Sequence, residues 1–202
     1  YRSLYTTYHS RLCSDSRSRK TPKWMKRLQI IDSTTISLFS NLIFKGVGRH
    51  PKIGKKKGGI KVHTVIHANE GIPSDIKFTS AATNDSFMLR PGRLSKGDIV
   101  AMDRAYINYE KFEELTQRGV IYVTKMKKSL RYEVLEDVMY QTPEGYMEVR
   151  IQYVEFTKLL KDGQSITHKA RLITYADVQK RRLITLLTND MEFDPTEIIA
   201  IY

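Results

Sequence analysis

A chain of 202 residues and 23.5 kDa, 41% hydrophobic and 28% charged with 12 Tyr and 7 Phe, has room for one core or a core plus a lobe, and its composition excludes disordered and collagen-like classes. A single cysteine, Cys13, excludes a disulfide framework and a thiolate-rich zinc site, and the longest uncharged stretch, residues 33 to 44, holds 12 residues and is too short and polar to span a bilayer. The net charge of +12 is concentrated: residues 1 to 61 hold 15 Lys and Arg against Asp15 and Asp32, while the remainder holds 19 basic and 20 acidic side chains. Clustered cations of this kind suit a polyanion, nucleic acid first among them, because they displace condensed counterions from phosphates; a solvated basic tail is the alternative for residues 11 to 26.

Residues 1 to 27 are polar and rich in Ser and Arg, with Pro22 near their end, and read as a linker or the remnant of an upstream element. Residues 28 to 38 are β-branched and predict a strand that carries Asp32. A basic loop at 45 to 59 follows, punctuated by Gly46, Gly48, Gly54, Gly58 and Gly59. Residues 60 to 67 and 72 to 79 then predict a hairpin closed by Ala68-Asn69-Glu70-Gly71. Either Asn84 or Asp85 is placed to cap a short helix through Leu89, ended by Pro91-Gly92. An apolar strand over 99 to 106 ends at Asp103, and Asn108 caps a helix over 109 to 118 that Gly119 terminates. After a strand at 120 to 125 the chain is mostly extended to Leu187, with a turn at Lys161-Asp162-Gly163. Asp194-Pro195-Thr196-Glu197 opens a last helix.

Two isolated acids, Asp32 and Asp103, therefore sit at or near the ends of apolar strands. A carboxylate inside a core strand needs a cation or a metal, whereas one at the rim is simply solvated, and both readings stay open on spacing alone. Carboxylates on adjacent strands suit hard divalent ions, which prefer oxygen ligands and retain water; paired ions activate a water and stabilise the leaving oxygen of a phosphodiester.

The motifs I-I-D-S-T at 30 to 34, K-G-G-I-K-V-H at 57 to 63, G-I-P at 71 to 73, N-D-S at 84 to 86 and V-A-M-D-R-A-Y at 100 to 106 occur in an order that resembles the DDE transposases of bacterial insertion sequences. The branch resembled is the insertion-sequence-four-like one, whose last acid lies in a Y-x2-R-x3-E-x6-K signature, and the likeness runs over about residues 28 to 202. It implies an α/β, ribonuclease-H-like mixed sheet with flanking helices and a β-rich insertion before the last helix. The division implied is a basic remnant at 1–27, the first part of the core at 28–125, the insertion at 126–190 and the start of the final catalytic helix at 191–202. Asp32 and Asp103 become the first two catalytic, metal-binding carboxylates, holding Mg2+ with Mn2+ as a substitute. Tyr202 matches the first letter of the signature, so the third acid is expected beyond it. Glu197 is instead read as a capping-box residue. Because the chain opens on Tyr1 and stops inside an apolar run, it is expected to be a piece of an active parent, binding metal poorly and catalysing little by itself.

Lys45, Arg49, Lys52, Lys55, Lys56 and Lys57 in the glycine-punctuated loop are read as phosphate contacts. Lys61 and His63, on one strand face, and Arg104 and Tyr106, beside Asp103, are read as further DNA contacts, with packing as the competing role. Stacking on a flipped base by Tyr140, Tyr146, Tyr153 or Phe156 is weighed against plain core packing, and packing is preferred. The implied reaction is hydrolysis at a transposon end to free a 3′-hydroxyl, then attack of that hydroxyl on target DNA. The implied partners are double-stranded DNA and a second copy of the protein. With no basic-then-apolar leader in the sequence, the implied location is the bacterial cytoplasm, on the nucleoid when bound to DNA. A DNA-binding remnant without catalysis is the rival. An aspartyl-phosphate phosphatase fits less well, because Thr34 stands where its second Asp belongs.

Overall fold

A computed structural model of the chain describes residues 22–37, 59–142, 147–160, 163–177, 179 and 181–202. The basic loop through residue 58, the remnant before Pro22, Tyr146 and the Lys161-Asp162 part of the expected turn lie outside the described residues. The chain divides into two compact units, Tyr1–Leu89 and Arg90–Tyr202. Among the described residues no helix is long and apolar enough to cross a membrane.

The first unit is built on three antiparallel strands, β1 (Leu28–Ser37), β2 (Gly59–His67) and β3 (Ile72–Ser80), with β2 in the middle. The β-branched residues of β1 favour the pleated conformation, and its expected range holds through Ser37, residue 38 lying outside the described residues. The β2–β3 hairpin closes as its turn residues require. Gly71 takes φ 66°, a left-handed conformation that costs side-chain-bearing residues energy, and its N–H reaches the His67 carbonyl at 2.9 Å. Register aligns Asp32 with Thr64, Ser33 with His63, and Lys61 with Thr79. Because successive strand residues face opposite ways, Ile31, Ser33, Lys61, His63 and Val65 share one face, and Asp32 and Thr34 point to the other. Ile31, Val65, Lys61 and His63 are all buried. A 3-10 turn, Asp85–Met88, replaces the short helix expected there, and the cap falls to Asn84, whose side chain accepts the Ser86 N–H.

Among the described residues the second unit is a six-stranded mixed sheet in the order β4-β5-β9-β8-β7-β6 with two α-helices. β4 (Ile99–Met102) is buried along its whole length, as suits a strand covered on both faces, and runs parallel to β5 (Ile121–Lys125). Parallel neighbours need a crossover, supplied by α1 (Tyr109–Gln117), which starts at the Asn108 cap and stops where Gly119 turns left-handed at φ 67°. The other edge of β5 takes β9 (Arg182–Thr188), followed by β8 (Ser165–Asp177), β7 (Glu148–Leu159) and β6 (Glu133–Gln141), all antiparallel. The extended residues after Lys125 therefore prolong the sheet that β4 and β5 begin. At its edge β6 carries Glu133, Glu136 and Asp137, charges that discourage pairing with another chain.

Phe112 of α1 stacks on Tyr122 of β5 at 4.0 Å between ring centroids, with Leu115 and Leu172 fully buried as well, while Val123 and Leu186, turned by alternation to the opposite face of the sheet, are fully buried there. Each such side chain contributes about 1.5–3 kcal/mol through loss of apolar surface to water. A polar brace crosses this core. His168 Nε2 lies 2.7 Å from the Tyr122 hydroxyl and its Nδ1 lies 2.9 Å from Glu113 Oε2.

Candidate functional site

Asp32 is exposed on β1, and its Oδ1 accepts the N–H of Ser33 at 2.7 Å. On the opposite face, the Ser33 hydroxyl donates to Asp85 Oδ1 at 2.7 Å. The same Asp85 oxygen lies 3.1 Å from the Lys61 ammonium, which also donates to the Thr83 carbonyl at 2.8 Å. Lys61 thus meets its charge partner inside the unit, as a nearly buried ammonium must. His63 is fully buried. Its Nε2 is 2.8 Å from the Thr79 hydroxyl and its Nδ1 is 4.0 Å from Asp85 Oδ1. Burial holds the His63 pKa below its ordinary 6.5; Asp85 opposes the shift, and Lys61 and Lys77 add to it. Since the Thr79 hydroxyl donates to the Ser80 carbonyl at 3.3 Å, it accepts from an Nε2–H, which assigns neutral His63 the Nε2 tautomer.

In the second unit β4 ends at Met102, and Asp103 redirects the backbone at φ −68°, ψ 155°. Its Oδ1 accepts the Ala105 N–H at 2.8 Å, capping the 3-10 turn Arg104–Tyr106. Asp103 and Arg104 are exposed, whereas the ring of Tyr106 is buried. The last helix, α2 (Pro195–Ile201), delivers Tyr202 to this place. Partial burial raises the Tyr202 hydroxyl above its ordinary value and the Asp103 carboxylate raises it further, while Arg104 and Arg182 pull the other way.

The approach to α2 is held from two strands. Buried Arg171 of β8 donates to the Phe193 carbonyl at 2.8 Å and pairs with Asp190 at 3.3 Å, and the Tyr140 hydroxyl of β6 donates to Asp194. Asp194 caps α2 by accepting the Thr196 N–H. Burial pushes its carboxyl up, but the bonds from Thr196 and Tyr140 outweigh this and leave it below the ordinary value. Glu197 is exposed, its backbone N–H reaching the Asp194 carbonyl at 2.9 Å. Of the aromatic residues weighed for base stacking, Tyr140 is engaged with Asp194. Phe156 is buried, with the ring of Tyr109 5.2 Å away.

Lys45, Arg49, Lys52, Lys55, Lys56 and Lys57 lie outside the described residues. Lys61 and His63 come together with Ser33 around Asp85, a residue that the sequence offered only as a motif member and an alternative cap. The signal was available in part, because two capping candidates stood side by side at 84 and 85. Once Asn84 takes the cap, Asp85 is left for another partner.

Asp32 and Asp103 share a pattern within their separate units. One oxygen is steadied by a nearby backbone N–H, and the other has no hydrogen-bond partner among the described residues. Exposed carboxylate oxygens fit a hard divalent cation that keeps water or substrate oxygens as its remaining ligands. Among the described residues no group of three or more His, Cys, Asp or Glu is assembled for a metal.

Comparison with known proteins adds a family. The profile described as "Transposase DDE domain" matches residues 23–202. A protein named as the transposase y4zB of Sinorhizobium fredii is 25% identical over 191 residues, covering 93% of this chain and 50% of that protein. A protein named as a transposase for insertion sequence element IS5377 of Geobacillus stearothermophilus is 22% identical over 113 residues, covering 56% of this chain and 28% of that protein. The chain thus spans half the length of the first relative and about a quarter of the second.

Proposed function

The chain belongs to the transposase DDE-domain family, and on that premise we propose that it is the catalytic region of a bacterial insertion-sequence transposase that cuts and joins DNA strands. Asp32 and Asp103 are the first two catalytic carboxylates and hold Mg2+, with Mn2+ able to replace it. The observation that carries this reading is their shared state: each is exposed, each follows an apolar strand segment, and each has one oxygen fixed by a backbone N–H while the other has no hydrogen-bond partner among the described residues.

Bound by such carboxylates, a divalent ion supplies activation of the attacking oxygen and neutralisation of charge on the leaving oxygen. The chain's own residues supply placement. The Ser33 and Ala105 N–H groups limit the rotation of the two carboxylates, so little reorganisation remains when the ion and DNA arrive. Arg104, exposed beside Asp103, holds a phosphate. The loop lysines Lys45, Lys52, Lys55, Lys56 and Lys57, with Arg49, track the backbone of double-stranded DNA without reading bases. Lys61 and His63 hold the strand that bears Asp32 from the face opposite that acid.

The fold is of the ribonuclease-H-like kind in the insertion-sequence-four-like branch, with residues 126–190 as its β-rich insertion. Two features support it: an antiparallel β1–β2–β3 group in the first unit and a parallel β4–α1–β5 crossover in the second. The third acid is that of the Y-x2-R-x3-E-x6-K signature, whose first letter Tyr202 matches. The proximity of Tyr202 to Asp103 supports that assignment. The protein works as a homodimer on two DNA ends in the bacterial cytoplasm.

Nicking of supercoiled plasmid DNA by the full-length protein in Mg2+ or Mn2+ tests the reading. Asp32→Ala and Asp103→Ala each lower the rate by at least about 1,000-fold, as expected when charge stabilisation at the reacting phosphorus is lost. DNA affinity in these variants stays salt-dependent. Nicking that survives both substitutions refutes the assignment, and a wild-type protein that binds DNA but never nicks it identifies a binding remnant.

A further inference from the structure

Among the described residues Asp85 is the carboxylate that gathers a serine hydroxyl and a nearly buried ammonium, with His63 Nδ1 4.0 Å away, and no part of the proposed chemistry uses it directly. Its position relative to Asp32 is specific. Ser33 bonds twice, through its N–H to Asp32 Oδ1 at 2.7 Å and through its hydroxyl to Asp85 Oδ1 at 2.7 Å. Alternation along β1 turns the Asp32 and Ser33 side chains to opposite faces, so Asp85 meets the strand on the face away from Asp32, and Ser33 touches both acids. Asp85 itself is held from a third direction, because Lys61 lies 3.1 Å from the same oxygen and is anchored at 2.8 Å to the Thr83 carbonyl. The side chains of Lys61 and Asp85 are only 11% and 19% exposed, so water screens the pair weakly and the geometry is stiff. The 3-10 turn that carries Asp85 starts at the Asn84 cap, which holds the carboxylate's own backbone in place.

We propose that Asp85 is a positioning residue for the Asp32 carboxylate, acting through Ser33: a role that rests on reading Asp32 as a metal ligand. The hydroxyl bond to Asp85 tethers Ser33 in addition to the ladder that aligns it with His63, and the Ser33 N–H in turn holds Asp32 Oδ1, while the second Asp32 oxygen has no hydrogen-bond partner among the described residues. Partners of this kind, hydrogen-bonded behind a ligand, orient it for the metal and tighten binding. The competing explanation is that Asp85 only neutralises Lys61. The two differ in what an apolar replacement of the pair does. Neutralisation alone predicts full recovery, because a buried ion pair exchanged for apolar side chains of similar size is often neutral for stability. Positioning predicts recovered stability without recovered metal affinity.

Mn2+ binding to the full-length protein on duplex DNA, followed by loss of the free-ion electron paramagnetic resonance signal, separates them, with thermal midpoints measured in parallel. Ser33→Ala, which removes one hydroxyl and leaves the ion pair, weakens Mn2+ binding about 10-fold, in the range typical for loss of a partner behind a metal ligand. Asp85→Asn does the same, and Ser33→Ala/Asp85→Asn is no weaker than either single variant, as expected for residues acting in one chain of contacts. Lys61→Met/Asp85→Leu melts like wild type and still binds Mn2+ weakly. Wild-type affinity in Ser33→Ala or in the Lys61→Met/Asp85→Leu protein, or additive losses in the double variant, overturns the positioning role. Asp32→Asn is the control. If it weakens binding while Ser33→Ala does not, the positioning role alone falls; if it leaves Mn2+ affinity unchanged, the metal-site reading falls and takes this role with it.

Discussion

Both units bury ionisable groups, but they do so for different ends. In the first, Lys61 meets Asp85 beneath the strand that bears Asp32, and the network includes Ser33, the immediate neighbour of that acid. In the second, the buried groups tie elements to one another: His168 joins α1, β5 and β8 through Glu113 and Tyr122, and Arg171 joins β8 to the loop that launches α2. A buried charge in the first unit is placed behind the strand residue that neighbours an exposed carboxylate. Buried polar groups in the second determine where whole elements sit, and so where Tyr202 arrives beside Asp103. The contrast shows that low exposure of a charged side chain does not by itself mark a reacting group; what it touches decides its role.

The largest effect that probes this contrast is expected at Arg171. Arg171→Ala leaves Asp190 with only the backbone N–H groups of Glu192 and Phe193, takes the guanidinium donor from the Phe193 carbonyl and lowers stability by about 3–5 kcal/mol, the range for breaking a buried pair by removing one partner. Chemical denaturation reads the loss. A change below about 1 kcal/mol removes the claim that this arginine organises the approach to α2. The His168 brace comes next. His168→Phe keeps the ring but loses two hydrogen bonds and leaves Tyr122 and Glu113 without them, which costs about 1–3 kcal/mol.

Acid provides a sharper comparison, because both networks contain a histidine with a lowered pKa. For His168 burial lowers it, against Glu113; for His63 burial lowers it, against Asp85 and with Lys61 and Lys77. The unfolded chain takes up protons at these sites near the ordinary value of 6.5 and the folded chain only at lower pH. The stability they confer is therefore present above about 6.5 and is lost as pH falls through the folded values. Denaturation midpoints measured from pH 7.5 to 5 decline, and His168→Phe flattens the decline. An unchanged slope in that variant assigns the acid sensitivity to the first unit. The smallest effect is at the caps, where Asn84→Ala in the first unit and Asn108→Ala in the second each cost about 1 kcal/mol. Because the Asn84 turn carries Asp85, only Asn84→Ala also weakens Mn2+ binding by the full-length protein.

Local order was legible in the residues. The β-branched run around Asp32, the Gly71 turn, the Asn108 and Gly119 ends of α1 and the Asp194-Pro195 start of α2 all act through neighbours within a few positions, and each stands where the pattern puts it. The family, too, was legible from five motifs in order. Lys61 and His63 were legible only as a pair on one face; that the face is buried was not, because alternation tells which residues are together and not whether another segment covers them.

By itself the sequence determined the strands, turns and caps, the basic first third and the two strand-end aspartates, since these follow from short-range backbone preferences and from charge. Tertiary structure alone decided that Asp85, 52 residues from Ser33, closes a hydrogen bond behind Asp32, and that Arg171 reaches the carbonyl of Phe193, 22 residues away. Such contacts depend on which surfaces are withdrawn from water together, and burial makes a charged side chain find its partner wherever the chain has brought one.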